Sequence, residues 1–180
     1  MREESEGGGG TTIYYPPGLR ELWLLPYPGE PTALAKRWHQ EYPGLFDEDD
    51  LRLTVCQPEL HFHEWYAAIH LLQRDGVFSM GEKYDSSKYH PLKFARYTEI
   101  LNAEQRAIAA RIQRECNAQL PDLLVPARDR TSFSFAEVKG PRDKLWDEQI
   151  ASHKRIRNEL KVPVEVIWVK LTDAMPTGSG

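Results

Sequence analysis

The apolar positions of this chain change their spacing along its length, and the changes divide it into elements. Between Tyr14 and Pro31, repeated prolines break every helical or alternating pattern, which predicts an extended arm over the rest of the protein. In "TALAKRWHQEYPG" the spacing becomes helical, with Thr32 as N-cap and Pro43-Gly44 as the stop. "LRLTVC", residues 51–56, alternates and predicts a strand. Trp65, Ile69 and Leu72 then recur at helical spacing in "HEWYAAIHLLQRDG", which ends at Asp75-Gly76. After a strand in "VFSMGEKY" and a loop in "DSSKYHP", helices are expected over 91–101 and 103–118. The second carries Ile108, Ile112 and Cys116 at i, i+4 intervals. Strands over 123–125 and 132–139, a helix over 144–160 and a last strand in "VEVIWVKL" complete the pattern.

This order predicts an α/β protein with at least three strands and helices packed against them. Residues 1–12, acidic and glycine-rich, read as a flexible tail, and 13–60 as an N-terminal arm and extension. Residues 61–172 form the main domain, and 173–180 a second flexible tail.

Charges interrupt two of the predicted strands. Glu137 and Lys139 are two residues apart and therefore project from one face of their strand, with Val138 on the other. Phe133 and Phe135 share the charged face further back, so that face is apolar at one end and ionic at the other. Asp122 opens the neighbouring strand, and a short connection brings it alongside. Two carboxylates and one ammonium at one sheet edge suit a hard divalent cation, magnesium or manganese, which takes oxygen ligands and leaves room for a phosphate oxygen. On the Glu-x-Lys spacing alone, an ordinary ion pair on a half-exposed edge strand is the better explanation, since such pairs are common.

The charge balance then locates a nucleic-acid surface. The chain carries a net charge of −4, but residues 1–90 hold −7 and residues 91–180 hold +3. Phosphate contact needs a local basic surface, so the second half is where to look. No apolar run reaches the length of a membrane span, and the N-terminus lacks the apolar core of a signal peptide. A cytosolic protein is expected, in whichever cell makes it. Cys56 and Cys116 form no CxxC pair and are expected to be free and buried.

The residues around the charges are more specific than the charges. Pro121-Asp122 followed by Glu137-Val138-Lys139 resembles the signature of the PD-(D/E)XK nuclease superfamily. Within it, "PDLLV" and "AEVKGPRDKLWDEQ" resemble the VRR-NUC family, the virus-type replication-repair nucleases, through Pro121, Asp122, Leu123, Glu137, Val138, Lys139, Gly140, Pro141, Asp143, Leu145 and Gln149. The likeness covers about residues 119–171. It departs at Ala118-Gln119-Leu120, where family members often have glycine, and at Ser152, where many have tryptophan.

The resemblance implies a restriction-endonuclease-like core, a mixed β-sheet flanked by helices, and a metal-dependent deoxyribonuclease. Asp122 and Glu137 would bind Mg2+ or Mn2+, with the Val138 carbonyl. Lys139 would orient the attacking water, and Gln149 would support the site. Gln149 has independent support: with Leu145, Ile156 and Leu160 it falls on one apolar helix face, where a buried amide needs a partner. A further acidic ligand usually precedes the PD strand in this superfamily. Glu64, on the helix face of Ala68 and Leu71, is the candidate, and Glu82 the alternative.

His61, His63 and His70 raise a rival zinc reading that lacks a third ligand at suitable spacing. Arg128 and Arg130 in the turn between the strands, with Arg142 and Lys144 just past Pro141, are the candidate phosphate contacts, and Arg106, Arg111 and Arg114 could extend that surface. Phosphate contacts carry no base information. A structure-selective or sequence-tolerant nuclease is therefore expected; the family resemblance implies branched or junction DNA in replication, repair or recombination, and a homodimer would suit symmetric cuts. The alternative is a catalytically degenerate nuclease fold that binds DNA or protein.

Overall fold

The computed structural model of the protein describes residues 10–25, 29–56, 58–81 and 83–172. Its strands are β1 (Gly10–Tyr15), β2 (Met80–Gly81), β3 (Leu123–Pro126), β4 (Phe133–Lys139) and β5 (Val164–Leu171). They form one mixed sheet in the order β1-β5-β4-β3-β2. β1, β5 and β4 run parallel, and β3 pairs antiparallel with both β4 and β2. The helices are α1 (Leu19–Leu24), α2 (Ala33–Glu41), α3 (Glu48–Cys56), α4 (Pro58–Asp75), α5 (Pro91–Ile100), α6 (Ala103–Cys116) and α7 (Asp147–Arg155), the last running into a π-helical turn, Ile156–Leu160.

Strand parity gives the sheet two cores. Ala136 and Val138 of β4 join Ile167 and Val169 of β5 in a core closed by Trp23, Trp38, Phe62 and Trp65 from α1, α2 and α4. Phe133 and Phe135 face the other way, into a core with Tyr97, Leu101, Ile112 and Ile156. The first core is aromatic. Trp23 is fully buried, 5.2 Å from the ring of Trp65 and 5.5 Å from that of Trp38. Truncating one such side chain costs about 3–5 kcal/mol. Glu137 and Lys139 lie on the second face, at the end of β4 away from the β3–β4 turn.

Several expectations change. Residues 10–12, read as flexible tail, are part of β1, hydrogen-bonded along β5; the tail residues 1–9 and 173–180 lie outside the described residues. The proline-broken arm contains a short helix, α1, which buries Trp23. Thr32 caps α2 as expected, accepting the Ala35 N–H at 3.1 Å. "LRLTVC" is helical rather than extended. The acids before it decide this: Asp47 and Asp50 exchange backbone-to-carboxylate hydrogen bonds of 2.9 Å, and Glu48, Asp49 and Asp50 fill the first turn, where the helix dipole favours negative charge. α4 begins at Pro58, so His61 and His63 lie on a helix and not on one face of a strand. Cys116 is half-buried and Cys56 exposed, both free. Among the described residues, no helix is long and apolar enough to cross a membrane.

Candidate active site

The β3–β4 pairing sets the geometry. Leu123 lies opposite Ala136, so Asp122, one residue before the strand, falls beside Glu137 and Val138. Its Oδ2 accepts the Val138 N–H at 2.7 Å. The residue before it is pinned as well, because the buried Tyr84 hydroxyl donates to the Pro121 carbonyl at 2.7 Å.

Glu137 is only 3% exposed. A carboxylate so buried costs several kcal/mol unless donors surround it, and here they do. Lys139 Nζ and Gln149 Nε2 each donate to Oε1 at 2.6 Å, and His153 Nε2 stands 3.4 Å from Oε2. Burial pushes the Glu137 carboxyl up, but hydrogen bonds from His153 and Lys139 and the Lys139 charge outweigh it and hold the group below its ordinary value. The carboxylate is therefore ionised near neutral pH.

Gln149 is oriented as well as partnered. The Trp146 N–H donates to its Oε1 at 3.1 Å at the start of α7, which turns Nε2 toward Glu137. His153 is a site residue that sequence reasoning missed. The signal was present: it follows Gln149 by four positions, on the same helix face, and is buried.

Glu64 reaches the same region from α4. It shares with Asp122 a cleft of about 360 Å³, and Asp122 and Glu137 share the adjoining cleft of about 320 Å³. Ala68 and Leu71 on its helix face are buried, as expected. Glu64 sits beyond the first turn of α4, so stabilisation of a helix start does not explain it. Its Oε2 lies 3.4 Å from His61 Nδ1. Glu82 lies outside the described residues.

The basic residues divide. Arg142 and Lys144 are exposed just past the Lys139 end of β4. Arg128 and Arg130 belong to the β3–β4 turn, at the other end of the strands. Glu137 is four residues from the start of β4 at Phe133, so at least roughly 13 Å of strand separates it from that turn. Arg128 packs against Gly76 below α4, so this pair lies at the far end of the strands from Asp122 and Glu137. Arg106 donates to the Thr98 carbonyl at 3.1 Å and Arg111 to Glu159 at 2.6 Å, so both brace helices.

One grouping of three ligating side chains occurs among the described residues, and it lies elsewhere: Asp47, Asp50 and His90. It includes none of His61, His63 and His70, the residues of the zinc reading. Lys93 hydrogen-bonds Asp50 and the Gly81 carbonyl, and burial pushes the Asp50 carboxyl up to about 6 against that pull. The cluster already holds its own cation and ties α3 to α5 and β2.

The Asp122–Glu137 edge fits a hard divalent ion by its donors. They are carboxylate oxygens facing one open cleft, with Glu137 kept anionic by its surroundings.

The VRR-NUC domain model matches residues 81–171, half of the chain. No curated protein sequence matches. Two solved structures resemble the fold: paFAN1 bound to 5′-flap DNA with a 2-nucleotide flap and a gap, 23% identical over 64% of this chain with a TM-score of 0.30, and paFAN1 bound to 5′-flap DNA with a 1-nucleotide flap and a gap, 19% identical over 96% with a TM-score of 0.44. The chain spans 25% and 40% of those chains.

Proposed function

The chain belongs to the VRR-NUC family, and on that premise we propose that it is a metal-dependent DNA nuclease of PD-(D/E)XK type. What supports this most is the buried Glu137 carboxylate, held by Lys139 and Gln149 at 2.6 Å each and set beside Asp122 at an open cleft. A structural ion pair needs neither the second carboxylate nor the cleft.

Asp122, Glu137, the Val138 carbonyl and Glu64 would hold Mg2+ or Mn2+, which when bound polarises a phosphodiester and acidifies a water. Lys139, fixed against Glu137, orients the attacking water and offsets charge on the phosphate. Gln149 and His153 keep Glu137 in place while the P–O bond breaks by in-line displacement. Arg142 and Lys144 hold the flanking backbone. Contacts of this kind read no base sequence, so selectivity falls on DNA structure, with branched or flapped duplexes favoured.

The test is cleavage of 5′-flap, four-way-junction, blunt-duplex and single-stranded DNA by the full chain, with Mg2+, Mn2+ or EDTA. Cleavage should require the metal, and Asp122→Asn and Lys139→Ala should each slow it by about 10²-fold or more. Unchanged cleavage in both variants sinks the mechanism. Tight binding without cleavage in any metal would favour a DNA-binding module on a degenerate nuclease fold.

A further inference from the structure

Two exposed aromatic rings flank the site. Tyr89, 54% exposed, lines the cleft that Glu64 shares with Asp122, and Trp146, 56% exposed, lines the one that Glu137 shares with Asp122. An exposed ring alone is ordinary. These two are distinguished by their neighbours: Lys83 Nζ lies 4.5 Å and Lys88 Nζ 5.3 Å from the Tyr89 centroid, and Lys144 Nζ lies 3.9 Å from that of Trp146.

We infer that Tyr89 and Trp146 are stacking platforms for unpaired bases on either side of the scissile phosphate. The inference rests on the nuclease reading above. A phosphate at Asp122 and Glu137 places its neighbouring nucleotides in the two clefts, one on each side. An aromatic face with an ammonium beside it offers stacking to a base and neutralisation to its phosphate, the combination used for single-stranded nucleic acid. Bases inside an intact duplex are already stacked and paired, so these rings engage only where pairing is interrupted.

The backbone N–H of Trp146 is bonded to Gln149, whose amide is bonded to Glu137, so two hydrogen bonds fix the backbone that carries the ring relative to the carboxylate. The clefts also contain Glu148 and Asp85, which add negative charge.

Binding in EDTA, where no cutting occurs, tests this with the full chain, a 5′-flap DNA, oligo(dT) and a blunt duplex. The flap DNA and oligo(dT) should quench tryptophan fluorescence more strongly in the unsubstituted protein than in Trp146→Phe, and the blunt duplex should not distinguish the two; Trp23, Trp38 and Trp65 are buried, and half-buried Trp168, opposite Lys139, is common to both proteins. Trp146→Ala and Tyr89→Ala should each weaken flap binding roughly 10-fold to 100-fold, with duplex binding within about twofold. Trp146→Phe and Tyr89→Phe should restore most of the loss, and thermal melts matching the unsubstituted protein confirm folding. Flap binding unaffected by both alanine variants overturns the inference while the nuclease reading stands. Failure of the unsubstituted protein to bind any of the DNAs overturns both.

Discussion

Replacing Gln149 by leucine removes the bond that connects α7 to the site. The substitution loses a 2.6 Å hydrogen bond to the charged Glu137 and leaves the Trp146 N–H without its acceptor. A bond to a charged group contributes about 1.5–3 kcal/mol, and a lost helix-start partner about 1. Leucine on this half-buried face returns part of that, leaving a net destabilisation of about 2–3 kcal/mol. For a chain of this size the melting temperature should fall by roughly 4–12 °C. Cleavage should fall further than stability does, because Glu137 is then held by Lys139 and His153 alone. Gln149→Glu sharpens the distinction. A second carboxylate beside Glu137 raises its proton affinity, so the cleavage profile should move to higher pH, which a packing defect would not cause. Melting within about 1 °C of the unsubstituted protein, with an unchanged rate, would refute the coupling.

Three further outcomes follow from the packing and charge of the fold. Asp50→Asn or Lys93→Met alone should each cost about 3–5 kcal/mol by leaving a buried partner unpaired, while the double substitution costs far less; strict additivity in urea unfolding would count against the pair. Gly140→Ala places a methyl 2.7 Å from His63 Cε1 and should destabilise by about 1–3 kcal/mol, partly recovered by His63→Ala in thermal melts. The folded pKa of Glu137 is depressed, so its stabilisation is present above the unfolded carboxylate value of about 4.3 and is lost as pH falls through the lower folded value. Glu137→Gln should therefore flatten the acid limb of the stability profile measured without metal.

The chemistry of the site was more legible in the sequence than its surroundings. Strand parity alone put Glu137 and Lys139 on one face, and an amide on an apolar helix stripe announced that Gln149 had a partner. His153 obeyed the same helical spacing, but a histidine at that position carries no motif. Arg128 and Arg130 lie in the β3–β4 turn as expected, but closeness in sequence to Asp122 does not tell which end of a hairpin holds the turn, and theirs is the far one. In α3 the alternation of Leu51, Leu53 and Val55 competed with the acids upstream, and the reciprocal capping by Asp47 and Asp50 won. β1 could not be read locally, since its partner β5 lies far along the chain.

Calorimetric titration with Mn2+ tests the central claim most directly, because the described residues offer two acidic places for an ion. The Asp122–Glu137 edge should bind it. Asp122→Asn should abolish or strongly weaken binding, and Asp47→Asn, in the cluster already neutralised by Lys93, should leave it intact. Mn2+ affinity that survives Asp122→Asn and disappears with Asp47→Asn would place the ion away from Glu137 and contradict the account.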